Sequence, residues 1–338
     1  MNQIIDCAYC DGQAYLQKTD RELTYRKETY RVVEHFYKCN KCKEEFTTTG
    51  SDTLTLVQAH NQYREQFSIP FPDEIVAIRD KYKLNAKKMS EVLGLGVNGY
   101  SNYEKGEIPT PAIGNLISNA DNPEIFKTML QKAVHHFSSN TFASTLERVN
   151  CLINNENHLQ PFYAKLNQSS VPNSASGFKK TNKDKIANIL VAYISNCKVE
   201  YNDRLKLNKL LFYTDFAFYK LYGSSITGLS YRAIDYGPVP TFYDNIFTYF
   251  QNENIIQSNW IRESNGTAKE TFLTETEFDE DLFTSEEKEV IFSIIEKFKE
   301  TSCWDLIELS HEEQGWKKLH RKRGIIDYQE FAFDLIGV

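Results

Sequence analysis

Leu95-Gly96-Val97-Asn98-Gly99-Tyr100-Ser101-Asn102-Tyr103-Glu104-Lys105-Gly106 follows a short amphipathic segment with Met89, Val92 and Leu93 on one side. The stretch resumes helix after a glycine turn, presents small polar side chains and stops at glycine. A recognition helix of the helix-turn-helix kind reads this way, because its first turns bring Asn, Ser, Gln or Arg to base edges and phosphates in the major groove. Asn98, Ser101, Asn102 and Lys105 are the candidate DNA-contacting side chains, with Ser101 and Lys105 assigned to phosphate. Lys87 and Lys88, near the start of the preceding helix, are placed to touch the DNA backbone or to form a solvated face. Tyr103 is expected to pack the helix onto its own domain.

On the N-terminal side, Pro70-Phe71-Pro72-Asp73 opens a helix continued by Glu74 to Tyr82 with Ile75, Val76 and Ile78 as its buried set, and Asn85 caps Ala86 to Leu93. On the C-terminal side, Thr110-Pro111 opens a fourth helix with Ile113, Leu116 and Ile117 on one face, and Asn122-Pro123 a fifth through Phe126, Met129, Leu130 and Val134. Five short helices in this order predict a compact repressor-type domain over 69–137 that binds as a homodimer to a two-fold operator in double-stranded DNA. Gly94-Leu95-Gly96-Val97-Asn98-Gly99 also matches GxGxxG. That fingerprint needs a strand before it and a βαβ unit around it, whereas the preceding segment has helical periodicity, so dinucleotide binding is set aside.

Cys7-Ala8-Tyr9-Cys10 and Cys39-Asn40-Lys41-Cys42 account for four of the seven cysteines. Each CxxC lets two thiolates converge on one ion, and two of them complete the all-sulfur tetrahedron that Zn2+ prefers. Disulfides are the rival reading, disfavoured in a reducing compartment. Leu23 to Lys27 and Tyr30 to Tyr37, rich in β-branched and aromatic residues, read as the strands of a ribbon over 1–68. So small a layer buries little apolar surface, and structural Zn2+ in small domains contributes apparent binding energies of roughly 10 to 16 kcal/mol. Four thiolates leave no position for water, so the expected ion is one structural zinc per chain, with His35 and His60 left out of the site.

The 338 residues, 41% of them hydrophobic, suffice for two or three cores in a globular protein. An acid at Asp6 interrupts any signal-like N-terminus, and no apolar run reaches the ~20 residues that span a bilayer, so a cytoplasmic protein without membrane contact is expected. Net charge is -7, with 17 Lys and Arg against 18 Asp and Glu over 1–136 and 22 against 28 thereafter. That balance argues against non-specific coating of nucleic acid, and the acidic second half suits a basic protein partner.

A two-CxxC ribbon followed by Gly-Val-Asn-Gly-Tyr-Ser-Asn-Tyr-Glu-Lys-Gly resembles the MqsA-type antitoxins over about the first 135 residues. The resemblance implies a zinc ribbon joined to an XRE/Cro-like DNA-binding domain that represses its own operon, with Asn98 and Asn102 facing bases. The family often carries arginine where this chain has Asn102. Asparagine reads adenine and arginine guanine, so the exchange implies a different operator.

From Phe137 to Lys183 the pattern weakens. Thr141 to Ile153 is expected to be helical, and Asn154-Asn155 with Gln168 to Gly177 reads as a flexible linker, giving a helix-and-linker segment over 138–182. Beyond it, over 183–338, Lys183 to Cys197 is amphipathic, while the apolar residues of Arg204 to Tyr222 spread too far round for one stripe and predict a helix buried on most sides. Phe242 to Phe250 is a third helix, Trp260-Ile261 and Thr271 to Leu273 flank an Asn265-Gly266 hairpin signal, and Thr284 with Glu287 forms a capping box before a long final helix. The expected fold is therefore multidomain and mainly α, with a small β zinc ribbon, a five-helix domain, and a mostly helical C-terminal domain carrying one small β-hairpin.

No catalytic constellation emerges. His311-Glu312-Glu313-Gln314-Gly315 lacks the second histidine of HExxH, Asp215 has no neighbouring His, Cys or acid at useful spacing, and Ser224-Ser225 sits in no nucleophile elbow. Cys151, Cys197 and Cys303 are expected to pack in cores. Lys206-Leu207-Asn208-Lys209-Leu210-Leu211-Phe212-Tyr213-Thr214-Asp215, then Tyr231 to Pro240 with Tyr-Gly-Pro-Val, then Leu309-Ser310-His311 with Trp316, resemble the SocA-like, or Panacea, domain. That resemblance implies a helical module that neutralises protein toxins by contact, with Tyr213, Asp215, Tyr236, Pro238 and Trp316 as partner-binding candidates or architectural residues. The expectation is a non-enzymatic type II antitoxin that binds a cognate toxin and autoregulates through DNA. Its rivals are a DNA-binding regulator with a partner-sensing C-terminal domain and a proteolytic adaptor.

Overall fold

The computed structural model describes residues 3–155, 171–198, 200, 202–262 and 268–338. The expected hairpin turn at Asn265-Gly266 and residues 156–170 of the expected linker lie outside them.

The N-terminal strands β1 (Ile4–Asp6), β2 (Gln13–Tyr25), β3 (Glu28–Cys39) and β4 (Glu45–Phe46) form one sheet in that order. Arg26 and Lys27, read from sequence as strand, are instead the turn between β2 and β3, both at positive φ (48° and 74°), the pairing a two-residue hairpin requires. An 18-residue helix, α1 (Thr49–Gln66), follows where no helix was expected. Its buried side includes Ser51, Thr55, Gln58, Asn61 and Arg64, so the apolar period that betrays an amphipathic helix is missing. Gln58 stands in for a strand partner: its amide accepts from the Val33 N–H at 2.8 Å and donates to the Val33 carbonyl at 2.9 Å.

Next come α2 (Pro72–Lys81), α3 (Ala86–Leu93), α4 (Gly99–Glu104), α5 (Pro111–Asn119), α6 (Pro123–Lys132) and α7 (Ser139–Asn155). Asn85, Thr110 and Asn122 cap α3, α5 and α6 through side chains that accept first-turn N–H groups. The C-terminal part comprises α8 (Lys183–Asn196), α9 (Arg204–Tyr222), β5 (Tyr231–Ile234), β6 (Gly237–Pro240), α10 (Tyr243–Asn252), β7 (Gln257–Arg262), β8 (Ala268–Leu273), α11 (Ser285–Phe298), α12 (Cys303–Glu312), α13 (Gln314–Leu319), β9 (Ile325–Ile326) and α14 (Tyr328–Phe331). The chain is multidomain and mainly α. Its two compact units have limits that cut across β2, β3 and α1: residues 24–30 with 59–171, and residues 1–23 and 31–58 with 172–338.

In the first of these units Ile75, Ile78, Tyr82, Met89, Tyr100, Ile117, Phe126, Leu130 and Val149 make one core. Tyr82 stacks on Phe126 with ring centres 3.7 Å apart and sends its hydroxyl to the Ala120 carbonyl at 2.8 Å. Gly94 ends α3 in the left-handed conformation (φ 67°), a conformation that costs a side-chain-bearing residue about 1 kcal/mol or more.

In the second unit, α9 packs against α8, α11, α12 and β6. Leu207, Leu210, Leu211, Phe212, Tyr213, Phe216 and Tyr219 are all at most 2% exposed, as the unstriped apolar pattern of this helix predicts. The capping box at Thr284 and Glu287 is present, and both Glu287 oxygens also accept from the Lys185 ammonium of α8, at 2.6 and 2.7 Å. Strands β7 and β8 pair antiparallel from Gln257↔Leu273 to Arg262↔Ala268.

Three expectations are corrected. Helix α11 is not the last, since α12, α13, β9 and α14 follow it. A three-stranded sheet, β6-β5-β9, accompanies the hairpin; its members of two to four residues are too short for a period-2 signal. Gly237-Pro238 begins β6, antiparallel to β5 with Ala233 opposite Pro238, and proline is tolerated there because β6 is an edge strand. Of the single cysteines, Cys197 and Cys303 are buried but Cys151 is exposed. In the linker expected from sequence, Asn173 caps a short turn at Ser174–Ser176, and Phe178 is fully buried.

Candidate metal centre and nucleic-acid interface

The first knuckle lies between β1 and β2, the second between β3 and β4. Because β2 and β3 are neighbours in the sheet, the two arrive side by side. The four sulfurs lie within 4.8 Å of one another, with Cys7 to Cys42 at 3.7 Å and Cys10 to Cys39 at 3.6 Å. A metal–sulfur bond of ~2.3 Å sets a tetrahedral S···S edge of about 3.8 Å, so the donor set fits one ion with four thiolates. Backbone N–H groups of Tyr9, Gly12 and Lys41 each point at a sulfur from 3.3 Å, on Cys7, Cys10 and Cys39 in turn, and such bonds favour the charged thiolate. Gly12 is required for the fit: a Cβ there would lie 2.7 Å from Lys41 Cβ and 3.0 Å from Cys39 Sγ. His35 is not among these donors. It is buried against Phe333 with ring centres 5.4 Å apart, and burial lowers its pKa.

Helix α4 is fastened from beneath. The Tyr100 N–H donates to Ser90 Oγ at 3.0 Å and the Tyr100 hydroxyl to the Ile75 carbonyl at 2.7 Å, while Arg79 Nε reaches Glu104 Oε1 at 2.5 Å. Tyr100 is fully buried and Tyr103 packs against the same core. Asn98, Asn102 and Lys105 face solvent, Ser101 is half-buried, and Lys87 on α3 is exposed. Lys88 is engaged within its own domain: its ammonium donates to Glu91 at 2.7 Å and to the His136 carbonyl, and lies 4.8 Å from the Phe137 ring centre. It is therefore less available to a phosphate than Lys87.

Sequence reasoning missed two arginines that fix the loop after α4. Arg26, at the β2–β3 turn, donates to the carbonyls of Ile108 and Pro109 at 2.8 and 3.0 Å. Arg64 donates to Pro70 at 2.7 Å, Gly106 at 3.0 Å and Glu107 at 3.2 Å, and burial lowers its pKa to about 10. Apart from Pro70, the carbonyls they hold lie 42 to 83 positions away in sequence, so no spacing motif announces them.

Among the partner-binding candidates, Tyr213 and Asp215 are both 0% exposed and cannot meet another protein's surface. Asp215 holds the 226–231 segment: its carboxylate accepts from the N–H groups of Ile226 and Thr227 at 2.9 Å each, the Tyr231 hydroxyl at 2.8 Å and the Thr227 hydroxyl. Burial nevertheless pushes its pKa above the usual carboxyl value, against those donors. The three motifs quoted from sequence converge at Gly237. A Cβ there would lie 2.3 Å from Ser310 Oγ and 2.6 Å from Lys209 Cε, and Gly237 sits at φ 96°. Lys209, pushed down to about 7 by burial, donates to the Pro238 carbonyl at 3.0 Å. Trp316 donates its indole N–H to the Ile234 carbonyl at 2.7 Å and lies between the rings of His311 and His320. Pro238 is buried and Trp316 half-buried, so only Tyr236 of the five is well exposed, at 53%.

Comparison with known proteins agrees with both halves. Residues 5–127 match the family model described as "Antitoxin component of bacterial toxin-antitoxin system, MqsA", and residues 207–317 match "Antitoxin SocA-like, Panacea domain". The antitoxin MqsA of Escherichia coli (strain K12) is 31% identical over 104 residues, which are 30% of this chain and 78% of that protein. Among the described residues no helix is long and apolar enough to cross a membrane. The chain belongs to the MqsA antitoxin family and carries a SocA-like Panacea domain behind its MqsA-like region.

Proposed function

We propose that this chain is the antitoxin of a type II pair, holding a cognate protein toxin inactive through its Panacea-containing part and binding its own operator through α4. The observation that carries this reading is the joining, in one chain, of an MqsA-matching region that holds the four-cysteine centre and the outward side chains of α4 to a SocA-like domain. The ion is one structural Zn2+ per chain on Cys7, Cys10, Cys39 and Cys42. It neutralises the thiolates and ties the two knuckles into one end of the sheet. Asn98 and Asn102 read base edges, while Ser101, Lys105 and Lys87 meet phosphates; a homodimer presents two such helices to a two-fold operator. Residues 69–137 form the DNA-binding domain in this reading. Toxin is neutralised by a shielding interface and not by chemistry, and Tyr236 belongs to that interface or its rim.

Two experiments test it. Co-expression of the full chain should restore growth to cells poisoned by the protein encoded next to it; continued poisoning at equal expression contradicts the reading. Asn98→Ala with Asn102→Ala should weaken operator binding in a gel shift by roughly 2 to 6 kcal/mol, the worth of two base contacts, without changing the melting temperature. An unchanged shift would remove α4 from the interface.

A further inference from the structure

The unit formed by residues 1–23, 31–58 and 172–338 contains an open groove of about 450 Å3 between the first two turns of α1, the end of α9 and α11. Leu54, Val57, Leu221, Tyr222 and Val290 make it largely apolar, and Glu289 stands at its rim. The close approach of α1 to α9 depends on Gly223. That residue ends α9 in the left-handed conformation (φ 72°), where a Cβ would lie 2.8 Å from Val57 Cγ1. Leu221 and Tyr222 remain 37% and 38% exposed, so both are open to a partner.

Charge identifies the kind of occupant. Glu286 and Glu289 are exposed on α11, and no ion pair engages either among the described residues. Both act on Tyr222, whose phenol pKa is raised by burial first and then by the fields of Glu289 and Glu286. An apolar floor with an anionic rim selects a partner that is apolar in the middle and carries Lys or Arg at its flanks. A second copy of this chain, at net charge -7, meets that rim with like charge. The wall from Thr49 to Val57 rises roughly 12 Å, about the length of an i, i+4, i+7 row of anchors on one helix.

We propose that this groove is where the cognate toxin docks, receiving an amphipathic helix of the toxin whose apolar stripe is flanked by basic residues. The inference rests on the antitoxin reading above and adds a surface to it. One wall comes from the MqsA-like region and the other from the SocA-like domain, so the site exists only where both are present. Residues after 180, expressed alone, would lack half of it.

The test uses the full chain and the purified protein encoded next to it, with binding measured at low and high salt. Leu221→Lys should raise Kd by about tenfold or more, the effect of losing one anchor of an interface. Glu286→Lys with Glu289→Lys should raise Kd about tenfold at low salt and abolish its salt dependence. Both should keep one zinc, operator binding and the melting temperature of the parent chain. If Leu221→Lys fails to fold, Leu221→Ala and the charge reversal, both at exposed positions, decide the matter. Unchanged affinity in folded groove variants overturns the docking proposal and leaves the antitoxin reading intact. A parent chain that does not bind the neighbouring protein removes both, and variants that alter only self-association assign the groove to a second copy instead.

Discussion

Cys39→Ser with Cys42→Ser should reduce zinc from one ion per chain to none and unfold one end of the N-terminal sheet. Among the described residues, the buried cluster at that end is Ala14, Tyr37 and Cys39, with Ile5, Cys7, Cys10, Leu16 and Phe46 partly buried against it. So little apolar area does not offset the cost of ordering β1, β4 and two knuckles, at about 1 to 2 kcal/mol per residue for the backbone. The remainder of the hairpin has other support within its unit. His35 packs on Phe333, Lys18 donates to the Phe333 carbonyl at 2.8 Å, and Gln58 both pairs with Val33 and accepts from Gln329 at 2.9 Å. Amide exchange should therefore lose protection over residues 4–16 and 37–46, while Val32, Val33 and α2 through α6 keep theirs. A parent protein without zinc by elemental analysis, or a double variant with a protected knuckle end, would contradict this account.

Asp215→Ala should cost roughly 4 kcal/mol or more, the price of leaving two buried backbone N–H groups and the Tyr231 hydroxyl without an acceptor at about 1 to 3 kcal/mol each. Ile226, Thr227 and Tyr231 are at most 3% exposed, so water does not replace the carboxylate. For a unit of this size the melting temperature should fall by roughly 10 °C. Asp215→Asn keeps one acceptor oxygen but faces donors with its NH2 group, and should fall between the parent and alanine variants. Denaturant unfolding of the three proteins measures this. A loss below about 1 kcal/mol in the alanine variant would show that Asp215 does not hold the 226–231 segment. The residue was a contact candidate because it closes the Lys206 to Asp215 stretch that resembles the SocA-like domain. Its partners lie 11 to 16 positions ahead and only the fold brings them back.

That contrast marks what was legible. The four-cysteine cluster was, because each CxxC turns its own two sulfurs to one side within a few residues, and the pairing of β2 with β3 then joins the two knuckles. So were the capped starts of α3, α5, α6 and α11, where Asn85, Thr110-Pro111, Asn122-Pro123 and the Thr284–Glu287 box act within one turn of their own helix. Helix α1 was not, because its buried side mixes Leu54, Ala59 and Tyr63 with Ser51, Thr55, Gln58, Asn61 and Arg64, so no apolar stripe marks it. The short sheet β6-β5-β9 was not, because its strands carry no period and Gly237 owes its place to Ser310 and Lys209. Nor does any local pattern announce that residues 31–58 fold with 172–338. For α4 the outward set Asn98, Asn102 and Lys105 follows from helical spacing alone once Tyr100 and Tyr103 are placed inward.

Calorimetric titration of the purified neighbouring protein into the full chain, and into the Asn98→Ala, Asn102→Ala variant, tests most directly that one chain keeps toxin binding and operator binding on separate surfaces. The account predicts a saturable complex with a Kd of about 1 μM or below in both cases, and operator binding only by the parent chain. No binding by the parent chain, or loss of toxin and operator together in the variant, would contradict it.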